Sequence, residues 1–440
     1  MKTVTKIFLV LTILWGASCS DTVRDTVTYT ANVPVYLSKD EFKAATKVET
    51  TRPLTNPGKI CLYGNYLFIN EIGEGVHVID NSNPALPRNV AFIEIIGNID
   101  IAAKDGILYA DNLVDLLLFD ISNPQNPNLK TRVEDAFKGV LPATNNDYPV
   151  SKIDLDDKVI VGWKQEVITE DVETYYYPMR YDYYMLSEAK TSSWATANTA
   201  LAGSRITGVN GSMSRFAISG EYLYAIYIQN VFYQQPSYSS YIAGPSGILK
   251  IFNIENEQIE LTNSMYISTE VETLFPYKDY LFMGMSNGMQ IYSIENPSYP
   301  TYVAATWHFW GCDPVVVSDD YAYVTVRSTN ACGQSGNLLQ VIDIRNIVQP
   351  QVVSEFAMQE PFGLGIDDNK LFICDNGLKV YDATVPTSVG SKLLFSTTDF
   401  TGFDLIPYGG LLLVIGGDGL YQYSYSDKQL MRLSVIPVAK

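Results

Sequence analysis

With 48 acidic and 30 basic side chains in 440 residues, the chain carries a formal net charge of -18, which disfavours contact with nucleic acid or anionic lipid. Two histidines leave histidine-based catalysis and His-rich metal sites poorly supplied, whereas 31 tyrosines are an unusual excess. The length admits several globular domains or one radially repeated domain, so internal repetition decides the domain count.

Residues 1–18 carry Lys2, Lys6 and an apolar run from Ile7 to Trp15. They read as a secretory signal too short to span a bilayer. Gly16-Ala17-Ser18-Cys19 resembles a bacterial lipobox without its usual leucine, which makes Cys19 the expected lipidation site. The expected product is an outer-membrane lipoprotein facing the cell surface or the periplasm, in contact with membrane only through its N-terminal lipid. Residues 19–56 are a polar and irregular lipid-tethered segment whose first residues read as the tether. Within them, 29–38 is an extended piece suited to an extra edge strand that helps close a ring, and 39–45 is a short helix.

From residue 57 to the C-terminus the same hairpin recurs. Its turns are Gly64-Asn65, Asp105-Gly106, Asp156-Asp157, Gly220-Glu221, Lys278-Asp279, Asp319-Asp320, Asp368-Asn369 and Gly409-Gly410. Dipeptides of this kind favour the positive φ that tight hairpins require. Each turn is followed in one register by an apolar strand, such as Tyr66-Leu67-Phe68 or Tyr321-Ala322-Tyr323. Third strands such as GVHVIDNSNP and DLLLFDISNP come next, and only unit three lacks a clear one, DYYMLSE at 182–188 being the best fit. A period of about 40–50 residues is that of a four-stranded antiparallel propeller blade, whose two faces are buried only by stacking copies about an axis. The fold class is therefore all-β, a β-propeller over 57–440. Eight blades are expected, with seven as the alternative if unit three or four is irregular.

The segments VHVID (76–80), LLLFD (116–120), LQVID (339–343) and LKVYD (378–382), most of them followed by Asn-Pro or Pro, resemble the LVIVD-repeat family of bacterial and archaeal surface proteins. The resemblance covers roughly residues 57–438. It implies a β-propeller on the cell surface, here as a Bacteroidetes-type lipoprotein, and brings no assigned reaction.

In a blade with strands A to D from the axis outward, B–C loops and D-to-A connectors share one face. The insertions fall there, in B–C loops at about 164–181, 229–247 and 327–337 and in connectors at about 134–149 and 189–211. Loops on a rigid scaffold are where binding residues concentrate. The candidate ligand-binding set is Tyr175, Tyr176, Tyr177, Arg180, Tyr181, Tyr233, Tyr238, Trp307, His308 and Trp310, whose rings suit glycans, peptides or a protein partner and equally suit mutual packing. Cys312 and Cys332 fall on this face and are the expected disulfide. Cys61 aligns with Ala102, Ile153, Ala217 and Val316 of the inner strands, as a buried thiol.

Lys59, Asp100, Arg215 and Asp404 share a register at the start of the inner strand. They are expected around the mouth of the central channel, where they neutralise one another or hold a small ligand. Asp156-Asp157 and Asp319-Asp320 read as turns rather than as a calcium site. No catalytic residue, metal site or cofactor is assigned. The leading function is a non-catalytic binding module for a glycan, a peptide or an envelope protein. The alternatives are a propeller lyase or hydrolase using Asp100, Asp404 or Tyr181, and a structural envelope protein.

Overall fold

The computed structural model describes residues 24–145, 147–154, 157–173, 209–235, 238–268, 271–307, 314–328 and 336–439. Among them, seven antiparallel sheets each supply a four-stranded blade. Blade 1 comprises Pro57–Tyr63, Tyr66–Glu71, Gly75–Asp80 and Arg88–Glu94, and blade 2 comprises Ile101–Lys104, Ile107–Asn112, Asp115–Asp120 and Asn128–Val133. Blades 3 to 7 occupy 216–267, 271–307, 315–357, 361–397 and 402–437. The inner three strands are buried on both sides, as in Val76, Val78 and Ile79 of blade 1, because each blade is sandwiched between two others. That sandwiching explains why the repeats read as nearly continuous apolar runs.

Among the described residues there is no eighth four-stranded blade. Asp157 adopts the expected positive φ of 55° and a strand follows it, Lys158–Glu173. That strand pairs instead with Arg24–Ser38, from Ser38 opposite Lys158 to Arg24 opposite Glu173, as a two-stranded ribbon. The cause is composition: after Trp163 it runs Lys164-Gln165-Glu166, and residues 164–167 are exposed. Such polar positions cannot be sandwiched between two blades. Ile153, aligned with the inner strands, instead buries beside Ile160, Tyr36 and Trp163 under the ribbon. The 182–188 segment lies outside the described residues.

The ribbon also corrects the expectation that 29–38 closes the ring. Closure is made by a parallel bridge between Leu54 and Val438 and by Ala439 N–H donating to the Leu54 carbonyl at 2.7 Å. The short helix is present as Lys39–Ala44. Its Ser38 cap accepts from Glu41 N–H at 3.3 Å, while Ser38 N–H donates to the Glu41 carboxylate at 2.9 Å.

Two devices recur in the repeats. The Asp that closes the third strand turns the chain, with Oδ1 of Asp80, Asp120, Asp343 and Asp382 accepting from the N–H two residues on at 2.9–3.1 Å. Hydrogen bonds within these turns pull each of the four carboxyls below the ordinary Asp range. A second acid, at the end of the B strand, clamps the connector leading into strand A. Asp111 accepts from Ile99 and Asp100 N–H at 2.8 Å, Asp375 accepts from Gln359 and Glu360 at 2.9 and 2.7 Å, and Glu71 accepts from Thr55 and Asn56.

Candidate functional site

Lys59, Asp100 and Asp404 lie against residues 210–216 of the chain itself, and Asp100 accepts from the backbone of Arg215. Val209–Asn210 adds a short strand inside blade 1, antiparallel to Pro57–Tyr63, with Asn210 opposite Cys61. The following residues bridge the ring. Asn210 Nδ2 donates to the Ile101 carbonyl of blade 2 at 3.0 Å, and Leu274 N–H of blade 4 donates to the Ser214 carbonyl at 2.9 Å. Leu364 N–H of blade 6 donates to Ser212 Oγ at 2.7 Å, and Ser212 N–H donates to Asp404 Oδ1 of blade 7 at 3.1 Å. This segment is therefore a plug.

The charged residues hold the plug. Lys59 Nζ lies 3.3 Å from Asp100 Oδ2 and donates to the Met213 carbonyl at 2.8 Å. Asp100 accepts from Ser214 Oγ at 2.8 Å and from the backbone N–H groups of Arg215 and Phe216. Lys59, Asp100 and Asp404 are nearly without solvent exposure. Burial pushes Lys59 down to about 8, with Asp100 opposing. Burial pushes Asp404 up to about 7, against the bonds from Leu405 and Ser212 and the charge of Lys59. Asp111, behind Asp100, is also pushed up to about 7 by burial.

Asp404 Oδ2 has no hydrogen-bond partner among the described residues. A buried carboxyl titrating near neutrality is what a general acid or base needs. Here its approach is closed by the plug: a Cβ placed on Gly211 would lie 2.3 Å from Oδ2, and one on Gly363 would lie 2.4 Å from Oδ1. Chemically the arrangement is a lock in which plug and ring exchange charge-assisted hydrogen bonds.

Ser212, Ser214 and Asp111 were not anticipated from sequence. Asp111 was reachable, because the Asp105-Gly106 hairpin sets Ile101 opposite Ala110 and so brings Asp100 beside Asp111. The serines lie in VNGSMSR, which carries no periodic signal and joins the plug to blade 3.

The face opposite the A–B turns carries the additional elements. The ribbon root and the short helix pack on it, Phe42 and Val159 burying against Leu113 of blade 2, with Ile96 and Val114 alongside. The insertion at 229–247 is not a loop. It extends the B and C strands of blade 3 into a hairpin, Tyr222–Gln235 and Tyr238–Asn253, in which Tyr233 is opposite Tyr241 and Tyr238 opposite Gln235. Likewise 164–173 is ribbon strand and 209–211 is plug. Trp307 ends the outer strand of blade 4 at 61% exposure, and Tyr266 projects from the outer strand of blade 3 at 82%. Tyr175, Tyr176, Tyr177, Arg180, Tyr181, His308, Trp310, Cys19, Cys312 and Cys332 lie outside the described residues. Cys61 and Cys374 are buried free thiols. Asp319 takes a hairpin φ of 52°. His77 is buried within blade 1, its Nε2 2.9 Å from Glu71 Oε2.

Residues 57–91 and 99–135 match the LVIVD repeat. Comparison with curated protein sequences yields no match. Among solved structures, the chain is similar to the periplasmic gluconolactonase of Pseudomonas aeruginosa, at 11% identity and a TM-score of 0.50 over 87% of this chain and 98% of that one. A putative 6-phosphogluconolactonase from Bacteroides fragilis aligns at 9% identity and a TM-score of 0.48, over 88% and 98%. At 11% identity the likeness to the gluconolactonase speaks for the fold alone. The chain is a β-propeller with seven blades among its described residues, and its first two blades carry LVIVD repeats.

Proposed function

We propose that this protein is a non-catalytic binding module of the bacterial envelope, tethered by a lipid on Cys19, whose insertion-bearing face engages a glycan, a peptide or an envelope protein. The observation that carries the reading is the division of labour at that face. The axial mouth is closed by the chain's own residues 209–215, while the ribbon, the short helix and the long blade 3 hairpin all gather on the B–C side. At the channel mouth Asp100 is engaged by Ser214 and Lys59 and Asp404 Oδ1 by Ser212, while Asp404 Oδ2, which has no partner among the described residues, lies against Gly211 of the plug. The gluconolactonase named above shares a fold with this chain and lends no residue to it.

The test is a glycan and peptide array with the chain from Ser20 onward, run beside a variant lacking Tyr175–Tyr184, and followed by crosslinking in intact cells. Saturable array binding or a specific crosslinked envelope partner, either one lost in the variant, is the expected result. Binding that the deletion leaves intact removes the insertion-bearing face as the site. Lactone hydrolysis above background would replace the reading with the enzymatic one.

A further inference from the structure

Diversion of the third repeat leaves a cleft of about 240 Å³ between blade 2 and the ribbon. Its walls come from the short helix, from 134–141 where the chain leaves blade 2, and from the start of the ribbon strand at Lys158. Phe42, Val114, Val140 and Val159 give it an apolar floor. Four lysines, Lys39, Lys43, Lys138 and Lys158, stand around it with three acids, Asp115, Glu134 and Asp135. In a chain of net charge -18 this is a local reversal of sign.

Most of these charges already have partners. Lys43 Nζ is 2.6 Å from Glu134, Asp115 is held by Arg132 at 2.7 Å, and Lys158 bonds Asp154 at 3.0 Å. Lys39, half-buried on the helix, and Lys138, on the opposite wall, have neither a hydrogen bond nor an ion pair from their ammonium groups among the described residues. Two cations without a direct bond, Lys39 attracted to Glu134 only at longer range, over an apolar floor select an anion with an apolar body. The neighbouring acids disfavour a dianion such as phosphate. The volume suits a group the size of one amino acid side chain or one sugar ring.

We infer that this cleft is a carboxylate-binding subsite of the face proposed above, taking a single carboxylate attached to an apolar group, from a free small acid or from a peptide C-terminus. The inference rests on that reading and gives it a ligand class and an address. Lys39 and Lys138 hold the carboxylate from opposite walls, and the apolar group lies on Phe42 and Val159.

The test is titration calorimetry with N-acetyl-leucine, with a hexapeptide ending in Leu, and with the same peptide amidated, on the native chain and on Lys39→Gln and Lys138→Gln. Near-ultraviolet circular dichroism and melting temperature report folding. Expected are dissociation constants of about 1 mM or tighter for the free acids and about tenfold weakening by amidation or by either substitution. Binding of the peptide but not of N-acetyl-leucine assigns the site to chain ends, and equal binding of both assigns it to small acids. Equal affinity for acid and amide, unchanged affinity in both variants, or no heat with any acid overturns the inference. The Lys39→Gln/Lys138→Gln double variant on the array separates the two claims: array binding that persists there, after failed titrations, leaves the broader reading standing without this subsite.

Discussion

At the scale of single residues, the most informative groups are the buried acids at the plug. Asp404 and Asp111 each hold a proton up to about pH 7 because burial penalises the anion. The native state thus binds protons that the unfolded chain releases near pH 4, and the stability they provide is complete below that pH and lost as the pH rises through about 7. Lys59 acts in another window: its native value of about 8 is depressed, so its contribution is present above its ordinary value and lost as the pH falls through about 8. Between pH 5 and 7 it is charged in both states and contributes no slope. The carboxyls of the C–D turns are depressed, and their dependence lies at still lower pH. The melting temperature is therefore expected to fall between pH 5 and pH 7.5, each acid contributing up to about 1.4 kcal/mol per pH unit. In Asp404→Asn, which keeps an acceptor for Ser212, part of that fall is expected to disappear. A variant whose melting curve keeps the full native slope would show that Asp404 is ionised in the folded protein throughout.

At the scale of elements, the plug explains both what the repeats disclose and what they hide. Turn dipeptides and apolar triplets revealed the hairpins because those signals are local: Asp105-Gly106 and Asp368-Asn369 both take the paired positive φ expected of them. The shared register of Lys59, Asp100, Arg215 and Asp404 was legible for the same reason, since it counts back from each turn, whereas their partners in residues 210–216 were not. Blade number was legible only as the alternative of seven, because the turn at Asp157 looks like the others and the polar run Lys164-Gln165-Glu166 is what betrays a strand unfit for burial. The plug was hidden for a further reason: VNGSMSR owes its place to partners on distant strands, and no periodicity marks it. Gly211 packs closely, because an added Cβ would meet the Leu405 carbonyl at 2.9 Å as well as the Asp404 carboxylate. Gly211→Val is expected to cost about 2–4 kcal/mol, read as a lower melting temperature, since backbone on one side and a buried carboxylate on the other cannot both yield. Wild-type stability in that variant would mean that the segment leaves the channel easily.

At the scale of the whole molecule, a ring of repeats differs from an open array because its last blade must find its first. Blades contact their neighbours, so stability is largely a sum of neighbour interfaces plus one closing interface. Here the closing interface is made late in the sequence: the apolar side chains of blades 7 and 1, with Ile406, Leu413 and Ile60 at the centre, meet under the Leu54–Val438 bridge. Val438 also donates its N–H to the Asp418 carbonyl at 3.0 Å, so the C-terminal residues tie blade 7 to itself and to the segment entering blade 1. The plug opposes local opening, because it bonds blades 1, 2, 4, 6 and 7 to one short segment at the axis. The two constraints predict different failures. Val438→Pro removes one donor and disturbs the bridge, and it is expected to cost about 1–3 kcal/mol. Hydrogen exchange should rise in blades 7 and 1 and remain at native levels in blade 4, across the ring. Gly211→Val should raise exchange in the inner strands of all the blades that the plug touches. Exchange that rises uniformly in Val438→Pro would mean that the ring opens as one unit, with the plug rather than the closing bridge setting its cooperativity.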